Sequence, residues 1–186
     1  MSKVVIAGDA SGTGTFTISA PNGNTDRTLV LPDEAGTVLT SATPGVFGNG
    51  PAFSATPATT QSITSGTYTK VNLGTEVFDT NSNFESSRFT PTVAGYYQLN
   101  GSVYPVSTGS ASYVWCLIYK NGSQYSWGSS AGAASNQDGV SVSATLVYLN
   151  GSTDYVELFA FAVGTSPTIP TGVGTQFSGF LARSAT

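Results

Sequence analysis

The chain contains no histidine and a single cysteine, Cys116. Without an imidazole, neither a Ser-His-Asp or Cys-His nucleophile nor the common zinc sites can be assembled. One thiol leaves no intrachain disulfide framework, and Cys116, set between Trp115 and Leu117, reads as a small buried hydrophobe. Charge is scarce as well: 9% of the 186 residues are charged, against about 25% in an average soluble domain. The six basic residues, Lys3, Arg27, Lys70, Arg88, Lys120 and Arg183, are scattered and form no stripe that could follow a phosphate backbone, so nucleic acid is not expected as a ligand. The ten carboxylates show no pair on a common strand, which opposes acid-base hydrolysis and an enzymatic role. No apolar run approaches 18 residues, so no membrane span is expected. The four-residue apolar run near the start is too short for a secretory signal.

What the chain has is a period of two. Residues 89–104 begin with a turn punctuated by Pro91 and Gly95 and continue as a long aromatic strand. Tyr97, Leu99, Gly101 and Val103 fall on one face of it, Tyr96, Gln98, Asn100, Ser102 and Tyr104 on the other. Residues 67–71, 75–78 and 84–90 read as short strands. Residues 111–119 read as a strand apolar on both faces and therefore covered on both. Asn121-Gly122 turns it into a hairpin with residues 124–128. Val142, Ala144, Leu146 and Tyr148 then alternate with Ser143, Thr145 and Val147, and Asn150-Gly151 reads as a second hairpin into residues 154–163. Residues 175–183 close the domain. Eight to ten such strands with no helical period predict an all-β jelly-roll sandwich, and 39% apolar content suffices for its core.

Residues 1–43 are different: strands of three or four residues separated by clusters of turn formers such as Pro21-Asn22-Gly23-Asn24. They carry too few apolar side chains for a core of their own, and three chains wrapped together would cover one another's edges. A β-rich attachment or stalk segment is therefore expected over 1–43, a Gly- and Pro-rich linker over 44–50, and a head over 51–186.

Two resemblances sharpen this division. Arg88-Phe89-Thr90-Pro91 with Gly95-Tyr96-Tyr97, the turn Lys120-Asn121-Gly122, and the closing Phe177-Ser178-Gly179-Phe180-Leu181 resemble, in order and spacing, the globular head of the complement C1q and tumour-necrosis-factor superfamily. The resemblance implies a C1q-like jelly roll and a homotrimer. Some members of that superfamily bind calcium in head loops. Asp79, Asp138, Asp154 and Glu157 read either as ligands of such an ion or as solvated loop residues, with no contiguous oxygen-ligand loop among them; no other cofactor is expected. The contiguous string Leu31-Pro32-Asp33 with Gly36-Thr37-Val38-Leu39 resembles the short β-rich segment of bacteriophage fibre and tail-associated proteins, commonly placed before a C-terminal binding head. It implies a virion location, with synthesis in the cytoplasm of a bacterial host.

The expected function is that of a virion fibre protein. Its N-terminal segment would meet other virion proteins, and its trimeric head would bind a host cell-surface glycan or protein without catalysis. The alternative is a structural or decoration protein of tail or capsid with no specific receptor. Among the aromatic residues, Phe89, Tyr97, Trp115, Phe159 and Phe180 are expected in the core. Tyr125 and Trp127 lead into the polar loop 129–138, where Asn136, Gln137 and Asp138 would bond sugar hydroxyls while Trp127 stacks on a pyranose ring. That loop and the Pro-flanked loop 164–174 are the expected binding loops.

Overall fold

The alternation of residues 95–103 becomes strand β7 (Gly95–Val103), whose odd-numbered side chains are buried while the even-numbered ones face outward. In the computed structural model the described residues are 50–107, 113–128 and 141–185, with 11–15, 17, 19, 22–26 and 28 nearer the N-terminus. The chain divides into two units, Met1–Thr37 and Val38–Thr186. Most of the segment 1–43, and the linker 44–50 apart from Gly50, lie outside the described residues. The described positions of the first unit are exposed, with a bend over 22–25.

Strands β1 (Ala52–Thr56), β4 (Thr75–Asp79), β10 (Ser141–Leu149) and β13 (Gln176–Ser184) join β7 in an antiparallel sheet of order β10-β7-β13-β1-β4. The second sheet is built from β5 (Phe84–Glu85), β6 (Arg88–Phe89), β8 (Tyr113–Lys120), β9 (Ser123–Trp127) and β11 (Val156–Val163) in the order β5-β6-β11-β8-β9. The short strand β3 (Thr69–Lys70) also pairs with β11. Between the loops, β2 (Gln61–Ser62) pairs with β12 (Thr168–Ile169). The chain passes from the first sheet to the second between β7 and β8, returns at β10, crosses again to β11 and ends in the first sheet at β13. Such crossings between stacked antiparallel sheets define a jelly roll.

The core lies between the sheets. Phe53 stacks on Phe89 at 4.3 Å and on Phe84 at 5.1 Å, and meets Phe177 edge-on at 5.0 Å. Val114, Cys116 and Ile118 of β8 face Leu99, Val103 and Val147 of the opposite sheet, all within the same buried cluster. Gly101 is required at its site: a Cβ there would stand 2.5 Å from Leu158 Cδ1 and 3.2 Å from Cys116 Sγ, so the sheets could not approach as they do. At Asn121-Gly122 the φ values of 52° and 78° give the two left-handed residues of a tight hairpin between β8 and β9.

The fold departs from the sequence expectations at several positions. Residues 84–90 form two strands, because Ser86 and Ser87 take φ of 52° and 58° and turn β5 back onto β6. The Ser87 hydroxyl, accepting from Leu73 N at 2.7 Å, holds that turn. Asn150-Gly151 is not a hairpin but the crossing from β10 to β11, which lie in different sheets. Asn150 Oδ1 organises the crossing by accepting from the N–H groups of Ser152, Thr153 and Asp154. Phe89 and Tyr97 are fully buried, but Phe180 is 50% exposed. It sits opposite Gln98 on the outward side of β13, while Phe177, three positions earlier, points into the core. Trp115 and Phe159 are half-buried on the outer face of the second sheet, where β8 is covered only in part: Leu117 is fully buried there while Tyr113 is exposed.

Candidate functional site

Two surfaces of the sandwich carry aromatic groups in reach of solvent, one on the outer face of each sheet. On the first sheet, Val142, Leu146 and Tyr148 of β10 point outward with Tyr96 of β7, Phe180 of β13 and Phe78 of β4, each between 42% and 51% exposed. Tyr96 and Tyr148 lie 5.5 Å apart across the β7-β10 pair. A shallow pocket of about 500 Å³, lined by Tyr96, Leu146, Ala182 and Arg183 among others, opens on this face. Hydrophobic alternation alone would turn Val142, Leu146 and Tyr148 inward. Pairing with β7 decides otherwise: Ser143, Val147 and Leu149 stand opposite Gly101, Tyr97 and Gly95, the inward-facing positions of β7, and so face the core.

On the second sheet the aromatic groups form a row. Pairing sets Phe161 of β11 opposite Trp115 of β8, and Trp127 of β9 opposite Leu117, one position along β8 on the same face. Trp115 stacks on Phe161 at 4.5 Å and 17°, and on Trp127 at 5.5 Å and 25°. Tyr68, from the loop before β3, adds a ring 5.0 Å from Phe161, and Tyr113 lies 6.4 Å from Trp115. The row ends at Trp127 because β9 is the edge of its sheet.

The register also fixes which end of the sandwich carries this row. The chain enters β1 at Ala52, opposite Phe180, and β7 runs in the same direction. Lys120 Nζ reaches Tyr148 O near that end, whereas Ser126 and Ser143 meet through their hydroxyls at 3.2 Å toward the other. Trp127, Trp115 and Phe161 therefore sit in the half of the second sheet farther from where the chain enters, beside the loop that follows β11.

Of the residues expected to bind a receptor, Trp127 lies in this row and is 60% exposed. Tyr125 does not join it. A bulge between Ile118 and Tyr119 leaves Tyr125 unpaired in β9, and its hydroxyl donates to Leu146 O at 3.2 Å, at the edge where the two sheets meet. Asn136, Gln137 and Asp138 lie outside the described residues, as does the loop 129–138. The loop 164–174 is pinned by the β2-β12 pair, with Ile169 fully buried, so only part of it is free. Trp115, Phe161, Tyr68 and Tyr113 were missed as members of one surface, since cross-strand neighbours cannot be known before the register is.

The carboxylates named as alternative calcium ligands are held by groups of the protein. Glu157, 4% exposed, is bonded by Lys70 Nζ at 2.7 Å and Arg88 Nε at 2.9 Å. Arg88 also lies over the Tyr155 ring at 3.8 Å. Asp79 accepts from the N–H groups of Asn81 and Phe84. Asp154 accepts from Asn121 Nδ2 at 2.7 Å and pairs with Lys120 at 3.0 Å. The Asn121 bond, with help from Lys120, holds its carboxyl below the usual carboxylate range. Asp138 lies outside the described residues, and among those described no group of three potential metal ligands forms a cluster. Burial pushes the Cys116 thiol up to about 12, far from the thiolate a nucleophile needs.

No family profile and no curated protein matches the chain. Solved structures do. The globular domain of zebrafish complement 1qA superimposes with a TM-score of 0.55 at 20% identity, covering 73% of this chain and 99% of that domain. Murine APRIL aligns with a TM-score of 0.54 at 13% identity, covering 71% and 98%. The Eiger TNF of S. frugiperda gives 0.55 at 8%, covering 74% and 94%. The chain thus has an all-β sandwich resembling the C1q/TNF jelly-roll fold. At these identities the likeness is one of fold.

Proposed function

We propose that the protein is a non-catalytic binding head that works as a homotrimer on a virion appendage and contacts a glycan or protein of the host cell surface. The observation that carries this reading is the outer face of the first sheet. Tyr96, Tyr148, Leu146, Val142 and Phe180 leave an apolar surface about half exposed in the single chain, and a soluble protein rarely leaves such a contiguous face open to water. Closure with further copies of the same chain covers it by symmetry. The resemblance of residues 15–42 to segments that precede phage binding heads supports the virion location and assigns attachment to the N-terminal part. Burial of the first sheet's face at a three-fold axis would leave the second sheet's aromatic row outward, where a host surface is met.

Light scattering of the intact protein tests the assembly: three times 19.0 kDa is expected at micromolar concentration, and a monomer overturns it. Competition tests the role. Purified protein added to susceptible cells should block adsorption of the particles. A trimer that fails to compete moves the reading to a structural or decoration protein.

A further inference from the structure

From the row Phe161, Trp115 and Trp127 we infer a stacking site for an uncharged sugar ring, centred on the free face of Trp127 and backed by Trp115. It rests on the binding-head reading and names the ligand class. One face of the Trp127 ring is covered by Trp115 at 5.5 Å, yet the side chain remains 60% exposed, so its other face is open to solvent at the sheet edge. Because the ring is clamped on one side by a neighbour that is itself stacked on Phe161, it presents a flat platform with little rotamer freedom to lose on binding. The apolar C–H face of a pyranose matches that platform.

The surroundings select among occupants. Of the charged groups described on this sheet, Lys70 and Arg88 are bonded to Glu157 near Tyr119 and Tyr155, Glu85 stands opposite Arg88 on β5 at the far edge from β9, and Lys120 pairs with Asp154, all away from Trp127. A phosphate, sulfate or uronate therefore finds no free cation among the described residues of the row. Tyr68 and Tyr113, 37% and 52% exposed, stand beside Phe161 and Trp115, so the described ring neighbours of the row are uncharged as well. A second copy of the chain is the poorer occupant. A stable interface buries roughly 800 Å² on each partner; beside the row Leu117 is closed over and Phe159 and Tyr119 are half-buried against each other at 3.8 Å, so the large exposed apolar side chains here are Tyr68, Tyr113 and Trp127, while the first sheet's face offers the broader surface.

The test uses the intact protein against immobilised neutral gluco-, galacto- and manno-configured hexasaccharides, with uronate and sialylated oligosaccharides alongside. Binding to at least one neutral probe is expected, with a blue shift of tryptophan emission on adding it in solution. Trp127→Ala should weaken that binding about tenfold, the size of one aromatic contact, and Trp127→Phe should retain part of it. Tyr125→Ala should leave it unchanged. Melting temperature and trimer content of each variant separate loss of the platform from loss of fold. Binding to none of the neutral probes, preference for charged ones, or full affinity in a folded Trp127→Ala trimer overturns the inference. If intact protein blocks particle adsorption and Trp127→Ala blocks it equally well, the binding-head reading stands and the sugar platform falls.

Discussion

The two outer faces of this sandwich are both rich in aromatic side chains, and they are built for different work. On the first sheet the rings are dispersed among aliphatic neighbours: Tyr96 and Tyr148 touch each other, and with Val142, Leu146 and Phe180 they spread the apolar surface over β7, β10 and β13. On the second sheet the rings of Phe161, Trp115 and Trp127 stand face to face in a row, with Tyr68 tilted against Phe161 at one end and the Phe159–Tyr119 pair beside it. A dispersed face gains by being covered over its whole area, as a subunit interface covers it. A stacked row has already satisfied its inner faces and offers one open ring at its end. Aromatic content therefore does not distinguish the roles, whereas the arrangement of the rings does.

The strongest way to break the comparison is to remove what both faces stand on. Tyr97 is fully buried and its hydroxyl donates to Val93 O at 2.7 Å. Tyr97→Ala should cost on the order of 3–5 kcal/mol in urea unfolding, and both trimer and sugar binding should fail together. Leu146→Glu acts on one face alone. Three carboxylates would be buried at the proposed interface, so light scattering should shift toward monomer while the far-ultraviolet spectrum is kept. Intrinsic affinity for the sugar, measured in solution, should stay unchanged, and any loss should be confined to surface avidity.

Within the second face, Trp115→Ala should exceed Trp127→Ala in its effect on stability. The former lies between two stacked rings and should cost about 1–3 kcal/mol; the latter, at the edge, should stay under about 1 kcal/mol. Equal melting temperatures for the two variants would contradict the order of the row. The smallest effect expected is at Asp154, which the Asn121 bond and Lys120 keep ionised in the folded state. Since its folded pKa lies below its unfolded value of about 3.9, its contribution is present above that pH and is lost as pH falls through the folded value. Asp154→Asn should remove that part of the acid sensitivity of the melting temperature, by less than about 1 kcal/mol at this partly exposed site.

The division of β7 into a buried and an open face was legible because a strand's period is fixed at two whatever it pairs with. The hairpin at Asn121-Gly122 was legible because few residue pairs tolerate two left-handed conformations in succession. Phe180 was misplaced for a related reason. The period of two through Phe177, Gly179 and Leu181 turns the even position outward, so parity overrides the aromatic character of Phe180. Asn150-Gly151 has the same letters as a hairpin turn, yet the strands it joins pair elsewhere, and only long-range hydrogen bonding shows that. Tyr125 and Trp127 share a parity in the sequence, and a single bulge in β9 sends them to different surfaces.

By itself, then, the sequence determined an all-β chain with no histidine and no intrachain disulfide, its strand periods and its tight turns, because these depend on residue type and local backbone geometry. Only the tertiary structure decided which apolar face of β10 meets the core, which aromatic residues share a surface, and which carboxylates are bonded to Lys70, Arg88 and Lys120. Those outcomes depend on register between strands far apart in the chain. The pairing of β10 with β7, which sets Ser143, Val147 and Leu149 opposite the inward-facing Gly101, Tyr97 and Gly95, leaves Val142, Leu146 and Tyr148 on the outer side.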